Sequence, residues 1–295
     1  MTSTAIIDPI AFQIGSYPVY WYGVILGTAT LVAAIFTYFE CRRINYDFNL
    51  FLDLLIYAIP MAIIGARGYY VIFNWDYYSA NPGEIIKTWH GGLAIHGVLL
   101  GSIITAIIFA KIKKVSFMQL ADIAGPSILL GQIIGRWGNF INQEAHGGPV
   151  SLDYLQSINL PQFIINQMYI DGTYYHPTFL YESSWNIVGI IFLIWLRLRN
   201  PIRGVIFASY LTWYSIGRFF IEGLRTDSLA FDGPNWLASF MELLWLPMKI
   251  FFEPGAMAYG NVRTAQLMSV LLVIGLFIYI YYIKAIKNST VRYED

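Results

Sequence analysis

Charge is scarce in this chain and cysteine nearly absent. Of its 295 residues, 12% are charged against 57% hydrophobic, and 18 basic residues match 18 acidic ones. A formal net charge of zero gives no electrostatic footprint for nucleic acid. The single cysteine, Cys41, excludes an intrachain disulfide and a cysteine-based zinc cluster. No HExxH stretch occurs, and the histidines His90, His96, His146 and His176 show no ligand-like spacing with carboxylates, so no metal is expected. A GxSxG elbow and a phosphate-binding loop are also missing, which argues against a covalent enzyme intermediate, and nothing calls for a cofactor. Internal repeats, low-complexity linkers and a second globular domain are not found, so residues 1–295 read as a single polytopic membrane domain.

What the chain has is long apolar runs, with a mean hydropathy of +0.55, as expected of an integral membrane protein. Stretches of spanning length fall near 19–38, 51–73, 93–110, 118–134, 178–195, 205–224 and 265–283. The expected fold is therefore an all-α bundle of seven transmembrane helices, with outer-side loops at 135–177 and 225–264. The runs at 118–134 and 178–195 are the shortest on apolar content, each carrying a carboxylate, Asp122 or Glu182. Pro60 interrupts the second run, which a bundle tolerates when neighbours satisfy the freed carbonyl. No Lys or Arg precedes Arg42, so the first run lacks the basic flank of a cleaved signal peptide and is expected to remain as a span.

Loop charges orient the spans. Arg42, Arg43, Lys111, Lys113, Lys114, Arg197, Arg199, Arg203, Lys284, Lys287 and Arg292 all fall on one side, which the positive-inside rule makes cytoplasmic. The other side carries Lys87, Arg136, Arg225, Lys249 and Arg263. The N-terminus is then outside and the C-terminus inside. On this orientation Tyr22, Arg67, His96, Arg136, Asn139, Glu144, Tyr181, Glu182, Arg218 and Glu222 reach the outer third or just beyond. Ionisable groups in a span are costly and usually face a cavity or a partner, so their shared depth marks a candidate site.

Two segments concentrate the chemistry. Gly135-Arg136-Trp137-Gly138-Asn139-Phe140-Ile141-Asn142-Gln143-Glu144 closes the apolar run ending at Ile134. Its glycines permit close backbone approach to a ligand or helix, and Arg136 offers five fixed donors suited to phosphate or carboxylate. A helix C-terminus with a capping glycine and an interfacial arginine fits the same letters. On the sixth run, Tyr214, Arg218, Glu222 and Arg225 recur at four, four and three residues, one narrow helix face. That stripe reads either as a self-neutralised Arg218–Glu222 pair or as an anionic head-group site.

These blocks, together with Gly147, His96-Gly97 after Gly91-Gly92-Leu93, and His176-Pro177 before Leu180-Tyr181-Glu182, resemble the bacterial phosphatidylglycerol-prolipoprotein diacylglyceryl transferases. The resemblance runs from Trp21-Tyr22-Gly23 to about Gln266. It implies transfer of diacylglycerol from phosphatidylglycerol to the lipobox cysteine thiol of a prolipoprotein signal peptide, releasing glycerol 1-phosphate, in the bacterial cell membrane and facing outward. Membrane lipid is then a partner as well as the solvent. Two departures stand out. Val98 follows His96-Gly97 where many relatives have a second glycine, and segment 228–262 is long, with an amphipathic stretch at 236–252 suited to an interfacial helix or lid.

The chemistry needs a group to take the thiol proton and charges to stabilise the departing phosphate. Arg136 and Arg218 are the candidate phosphate clamp, with Arg225 or Arg67 as a third charge or helix tie. Asn139 and Asn142 are candidates for the glycerol hydroxyls, though asparagines at a helix end also serve as caps. Tyr22 and Glu222 complete the candidate lipid-binding set. His96 is the first candidate base by intrinsic pKa; Glu144 and Tyr214 are alternatives, and Glu144 is also a candidate to orient Arg136 or Arg218. His146 and His176 read as loop and turn residues, the latter because Pro177 restricts it. A carrier of an anionic lipid or solute is the rival reading, although carriers usually show paired repeats with broken helices.

Overall fold

A computed structural model describes residues 6–286 and 290–295; Lys287 lies outside the described residues. In chain order the elements are strands β1 (Ile10–Ile14) and β2 (Tyr17–Tyr20), helices α1 (Trp21–Arg43), α2 (Asn49–Phe73), α3 (Trp75–Ala80), α4 (Ile95–Lys113) and α5 (Phe117–Ile141), and strand β3 (Pro149–Val150). Helices α6 (Leu152–Ser157) and α7 (Gln162–Gln167), strands β4 (Tyr169–Ile170) and β5 (Thr173–Tyr175), and helices α8 (Thr178–Leu198) and α9 (Val205–Glu222) follow. The chain ends with β6 (Ala230–Phe231), α10 (Asn235–Trp245), β7 (Val262–Arg263) and α11 (Thr264–Tyr281).

Among the described residues, six helices are long and apolar enough to cross a membrane: α1, α2, α4, α5, α8 and the stretch Thr264–Lys284 that contains α11. The protein is mostly helical and multi-pass by that measure. Helix α9 is long enough too, but Arg218, Glu222 and five hydroxyl-bearing side chains lower its hydropathy. It needs less apolar surface than the others because none of its residues is exposed. By contrast α1, α2, α4 and α11 present many exposed Leu, Ile and Phe side chains.

The expected outer loops are folded. Helix α5 continues past Ile134 to Ile141, so both motif glycines are helical rather than caps, and the left-handed turn falls at Gln143 (φ 55). Beyond it, strands in the order β3-β5-β4 pair antiparallel. Phe140, Leu155, Ile164, Ile165, Met168 and Phe179 form the core of this region. In segment 228–262, β6 pairs with β7, and Phe219, Leu224, Met241, Trp245 and Val262 form a second core. The amphipathic stretch becomes α10 followed by a 3₁₀ segment at Leu246–Ile250; Met241 and Trp245 point inward while Trp236, Leu243 and Ile250 are exposed.

The chain divides into two compact units, Met1–Thr37 with Asp122–Asp295, and Tyr38–Ala121. In the larger unit, α8 and α9 are joined by a reciprocal clasp. Trp185 and Trp213 stack at 4.5 Å, and each indole N–H donates to the other's carbonyl at 3.0 Å. Each tryptophan is followed four residues on by a glycine, Gly189 or Gly217, and a Cβ there would collide with the partner indole. The clasp thus sets the register of Glu182 on α8 against Arg218 on α9. Asp122, fully buried, explains the carboxylate in the α5 run: it accepts from the N–H groups of Gly204 (2.5 Å) and Phe207 (2.8 Å), capping α9 from a neighbouring helix.

In the smaller unit, α2 and α4 meet backbone to backbone. A Cβ on Gly101 would lie 2.5 Å from the Met61 carbonyl, and Gly65 and Gly97 face each other with no room for one. The departure at Val98 therefore leaves close packing intact, because Gly97 and Gly101, four apart, carry it.

Candidate active site

Helix α5 delivers Arg136, α8 delivers Glu182, α9 delivers Arg218 and Glu222, and the turn after α9 delivers Arg225 and Asp227. They form one alternating chain of charge. Arg136 Nε pairs with Glu182, whose other oxygen lies 3.6 Å from Arg218 Nη1. Arg218 Nη2 reaches Glu222 at 2.7 Å, Glu222 lies 3.9 Å from Arg225 Nε, and Arg225 clasps Asp227 through two contacts of 2.6 and 2.8 Å. Within the membrane-facing part the carboxylates are the buried members: Glu182 and Glu222 side chains are 6% and 3% exposed, Arg136 and Arg218 18% and 22%. The guanidiniums are thus backed by fixed negative charge and keep an accessible edge. Asp227 lies outside the helices; burial pushes its carboxyl up, but the Arg225 hydrogen bond and charge win and hold it below the usual range.

Around this chain the other candidates take distinct places. Tyr22 of α1 packs on the motif, since a Cβ at Gly138 would lie 2.7 Å from its ring. Asn139 donates to Glu144 at 2.8 Å, so Glu144 is engaged with an amide, and it is Glu182 that lies between the two arginines. Asn142 is exposed, and Tyr214 is half-buried with its ring 6.4 Å from Tyr210. Asn139, Glu144 and His146 border a small cavity of about 10 Å³. His146 Nδ1 donates to the Gly147 carbonyl at 3.0 Å. His176 is buried against Tyr181, 3.1 Å from its hydroxyl, and burial pushes its pKa down to about 4.

Arg67 and His96 belong to the smaller unit. All five Arg67 donors are committed to backbone carbonyls, those of Ile85, Gly91, Gly92, Glu84 and Lys87, at 2.6 to 3.3 Å. The expectation that Arg67 contacts the lipid is corrected on that ground: no donor remains for a phosphate. It fastens the segment leading to α4, where His96 sits in the first turn, exposed and stacked on Tyr69 at 5.7 Å.

Sequence reasoning counted Glu182 among the residues at the depth of the site but gave it no role, and it passed over Asp227. Glu182 carried a legible signal, because no basic residue lies within four positions of it on α8 and its partner had to come from another helix. Arg263, counted only as a loop charge, is buried.

The description "Prolipoprotein diacylglyceryl transferase" belongs to a family model that matches residues 9–282. The chain belongs to this family. It is 55% identical over 244 residues to a protein of Bacillus velezensis named phosphatidylglycerol--prolipoprotein diacylglyceryl transferase, covering 83% of this chain and 90% of the relative. A relative of the same name from Bacillus mycoides is 57% identical over 246 residues, 83% of this chain and 91% of its own length. The family match begins before β1 and takes in every helix named above, so the whole charge chain lies within it.

Proposed function

We propose that this chain transfers the diacylglyceryl group of phosphatidylglycerol to the lipobox cysteine thiol of a prolipoprotein, releasing glycerol 1-phosphate at the outer face of the bacterial cell membrane. The observation that carries the reading is the arrangement of Arg136 and Arg218, delivered by different helices and held side by side on the buried Glu182. Family membership supports a transferase over a carrier.

In the reaction the cysteine sulfur forms a bond to the glycerol carbon of the diacylglyceryl group, and that carbon's bond to the phosphate oxygen breaks. The electron pair leaves with the phosphate, which gains charge as it departs. Fixed guanidiniums in a site of low dielectric stabilise that gain more than they stabilise the ground state. Glu182 keeps both arginines oriented before substrate arrives, and Glu222 and Arg225 extend the same support. Asn139, Asn142 and Tyr22 are the groups we assign to the glycerol hydroxyls. His96 takes the thiol proton, with Glu144 and Tyr214 as the other groups able to do so.

Helix α9 is read as the seventh span, shielded from lipid by α8 and α11 on which it packs. The N-terminus is outside and the C-terminus cytoplasmic, from Arg42 and Arg43 in the last turn of α1 and Lys111 and Lys113 in that of α4. Arg197 contributes less to that bias than its position suggests, being buried over the Phe36 ring at 5.1 Å. Helix α10 lies in the outer interface with Trp236 and Leu243 in the lipid.

Incubating the purified protein with phosphatidylglycerol and a lipobox peptide tests the reading. A peptide mass gain of one diacylglyceryl group is expected; inorganic phosphate or no product would overturn it. The base is assigned by pH. His96→Gln should slow transfer near neutral pH and recover partly as rising pH supplies substrate thiolate, whereas Arg218→Ala should not recover. Near-full activity of His96→Gln at every pH would move the base to Glu144 or Tyr214.

A further inference from the structure

Arg263 holds a charge that the transfer chain does not use. Pairing of β7 with β6 puts it at the N-cap of α11, 7% exposed. One Nη donates to the Gly255 carbonyl, Nε has no partner, and Arg263 forms no ion pair among the described residues. Burial lowers its pKa, and the nearby Glu222 charge opposes that. An arginine this buried, with one carbonyl contact and no ion pair, carries a desolvation cost that a bound anion would offset.

Arg263 lines a cavity of about 340 Å³ with Asn261, Gln266 and Trp245, and with Lys249 whose charge is paired to Glu242 on the same wall. The first turn of α11, an 18-residue helix with no side-chain cap, opens at the same place and adds its dipole to the guanidinium. Gln266 donates to the Phe219 carbonyl, leaving its amide oxygen for a hydroxyl. None of Arg136, Glu182 and Arg218 borders this space.

We propose that this cavity binds a glycerophosphate group, from a phospholipid headgroup or from free glycerol 1-phosphate, with Arg263 as the charged contact. The choice of glycerophosphate over other anions rests on the transferase reading; the anion site does not. The two sources differ below the cavity. Along α11, Val270 and Val273 follow Gln266 at four and three residues, on one helix face. There they line an apolar groove of about 330 Å³ with Phe240 and Leu244 of α10. A lipid would lay an acyl chain in that groove, and free glycerol 1-phosphate would not.

The full-length protein in phosphatidylcholine nanodiscs is titrated with glycerol 1-phosphate by calorimetry, and separately the phosphatidylglycerol it retains is counted by native mass spectrometry. Arg263→Gln should weaken one of these at least tenfold, or remove one retained lipid, and should do so equally when added to a protein that already carries Arg218→Ala. Loss of a lipid in both Arg263→Gln and Val273→Trp assigns the site to a headgroup. Loss of glycerol 1-phosphate binding in Arg263→Gln alone assigns it to the free compound. If Arg263→Gln fails to fold, Ala238→Trp, which fills the cavity from α10, gives the same readout. Unchanged binding of both probes in the folded variants, or no further loss when Arg263→Gln is added to Arg218→Ala, would overturn the proposal. Neither assay needs turnover, so a native protein that binds but never modifies a lipobox peptide would sink the transferase reading and leave the site standing.

Discussion

The helix pairs α8–α9 and α2–α4 each carry an arginine within an apolar bundle, and they satisfy it in opposite ways. In the first, Arg218 faces carboxylates of two helices, and tryptophan faces keep the helices apart enough for side chains to meet. In the second, glycines bring backbones into contact, and Arg67 gives every donor to carbonyls of one loop. A carboxylate shared between guanidiniums can yield part of its contact to an incoming phosphate, whereas a carbonyl cage filled by five donors cannot be opened without unfolding the loop. The first arrangement suits ligand exchange and the second suits rigidity. Arginine in an apolar setting is therefore not in itself a sign of a binding site; the nature of its acceptors decides.

The sharpest way to break this contrast is at Arg136. Arg136→Ala should abolish transfer to a lipobox peptide, roughly 10²-fold or more as for a lost oxyanion-type donor, while the protein still inserts. Arg136→Lys should restore little, since a point charge does not reproduce a planar fork. A folded Arg136→Ala protein with near-native turnover would remove the phosphate clamp from the mechanism.

At Arg67 the order of readouts should invert. Arg67→Ala strands five carbonyls and should cost on the order of 3 kcal/mol or more, seen as a fall in thermal midpoint measured in detergent. Arg67→Lys should recover only part of it. A stable Arg67→Ala protein that has lost phosphatidylglycerol binding would show that the arginine meets lipid after all.

How much of this was legible beforehand follows from periodicity. The apolar runs gave α1, α2, α4 and α11 closely, because lipid-facing helices have to be apolar along their length. The stripe of Tyr214, Arg218, Glu222 and Arg225 placed one face of α9 correctly. What the letters hid was pairing between helices: that Glu182 would sit between Arg136 and Arg218, or that Asp122 would cap a helix more than 80 residues away. Such partners depend on the Trp185–Trp213 register, and two tryptophans 28 residues apart carry no local period. The folded segment 135–177 was hidden for another reason. Its strands are two or three residues long, too short for alternation to register.

Two histidines sharpen the same contrast by pH. His176 is buried, and the fold lowers its pKa from 6.5 to about 4, so the folded state favours the neutral ring. Its contribution is complete above pH 6.5 and is lost as pH falls toward 4, on the order of 3 kcal/mol across the window. Thermal midpoints of the native protein should therefore drop through that range, and His176→Gln should flatten the drop. A variant as acid-sensitive as the native chain would place the titrating group elsewhere. His96, exposed on α4, is tested by the rate profile of His96→Gln instead.

The smallest effect is expected at Lys284, exposed beyond the end of α11. Its charge is one of several on the side proposed to be cytoplasmic, and orientation follows their sum rather than any single member. Exposed side chains of this kind shift stability by about 0.5 kcal/mol at most. Lys284→Ala should leave transfer, thermal midpoint and topology as they are, the last checked by labelling a cysteine placed near the C-terminus from either side of the membrane. The substitution is informative because it removes a positive charge, as Arg136→Ala does, without touching the chain from Arg136 to Asp227. Equal loss of transfer in the two variants would mean that net charge at large, and not arginines held on buried carboxylates, governs the reaction.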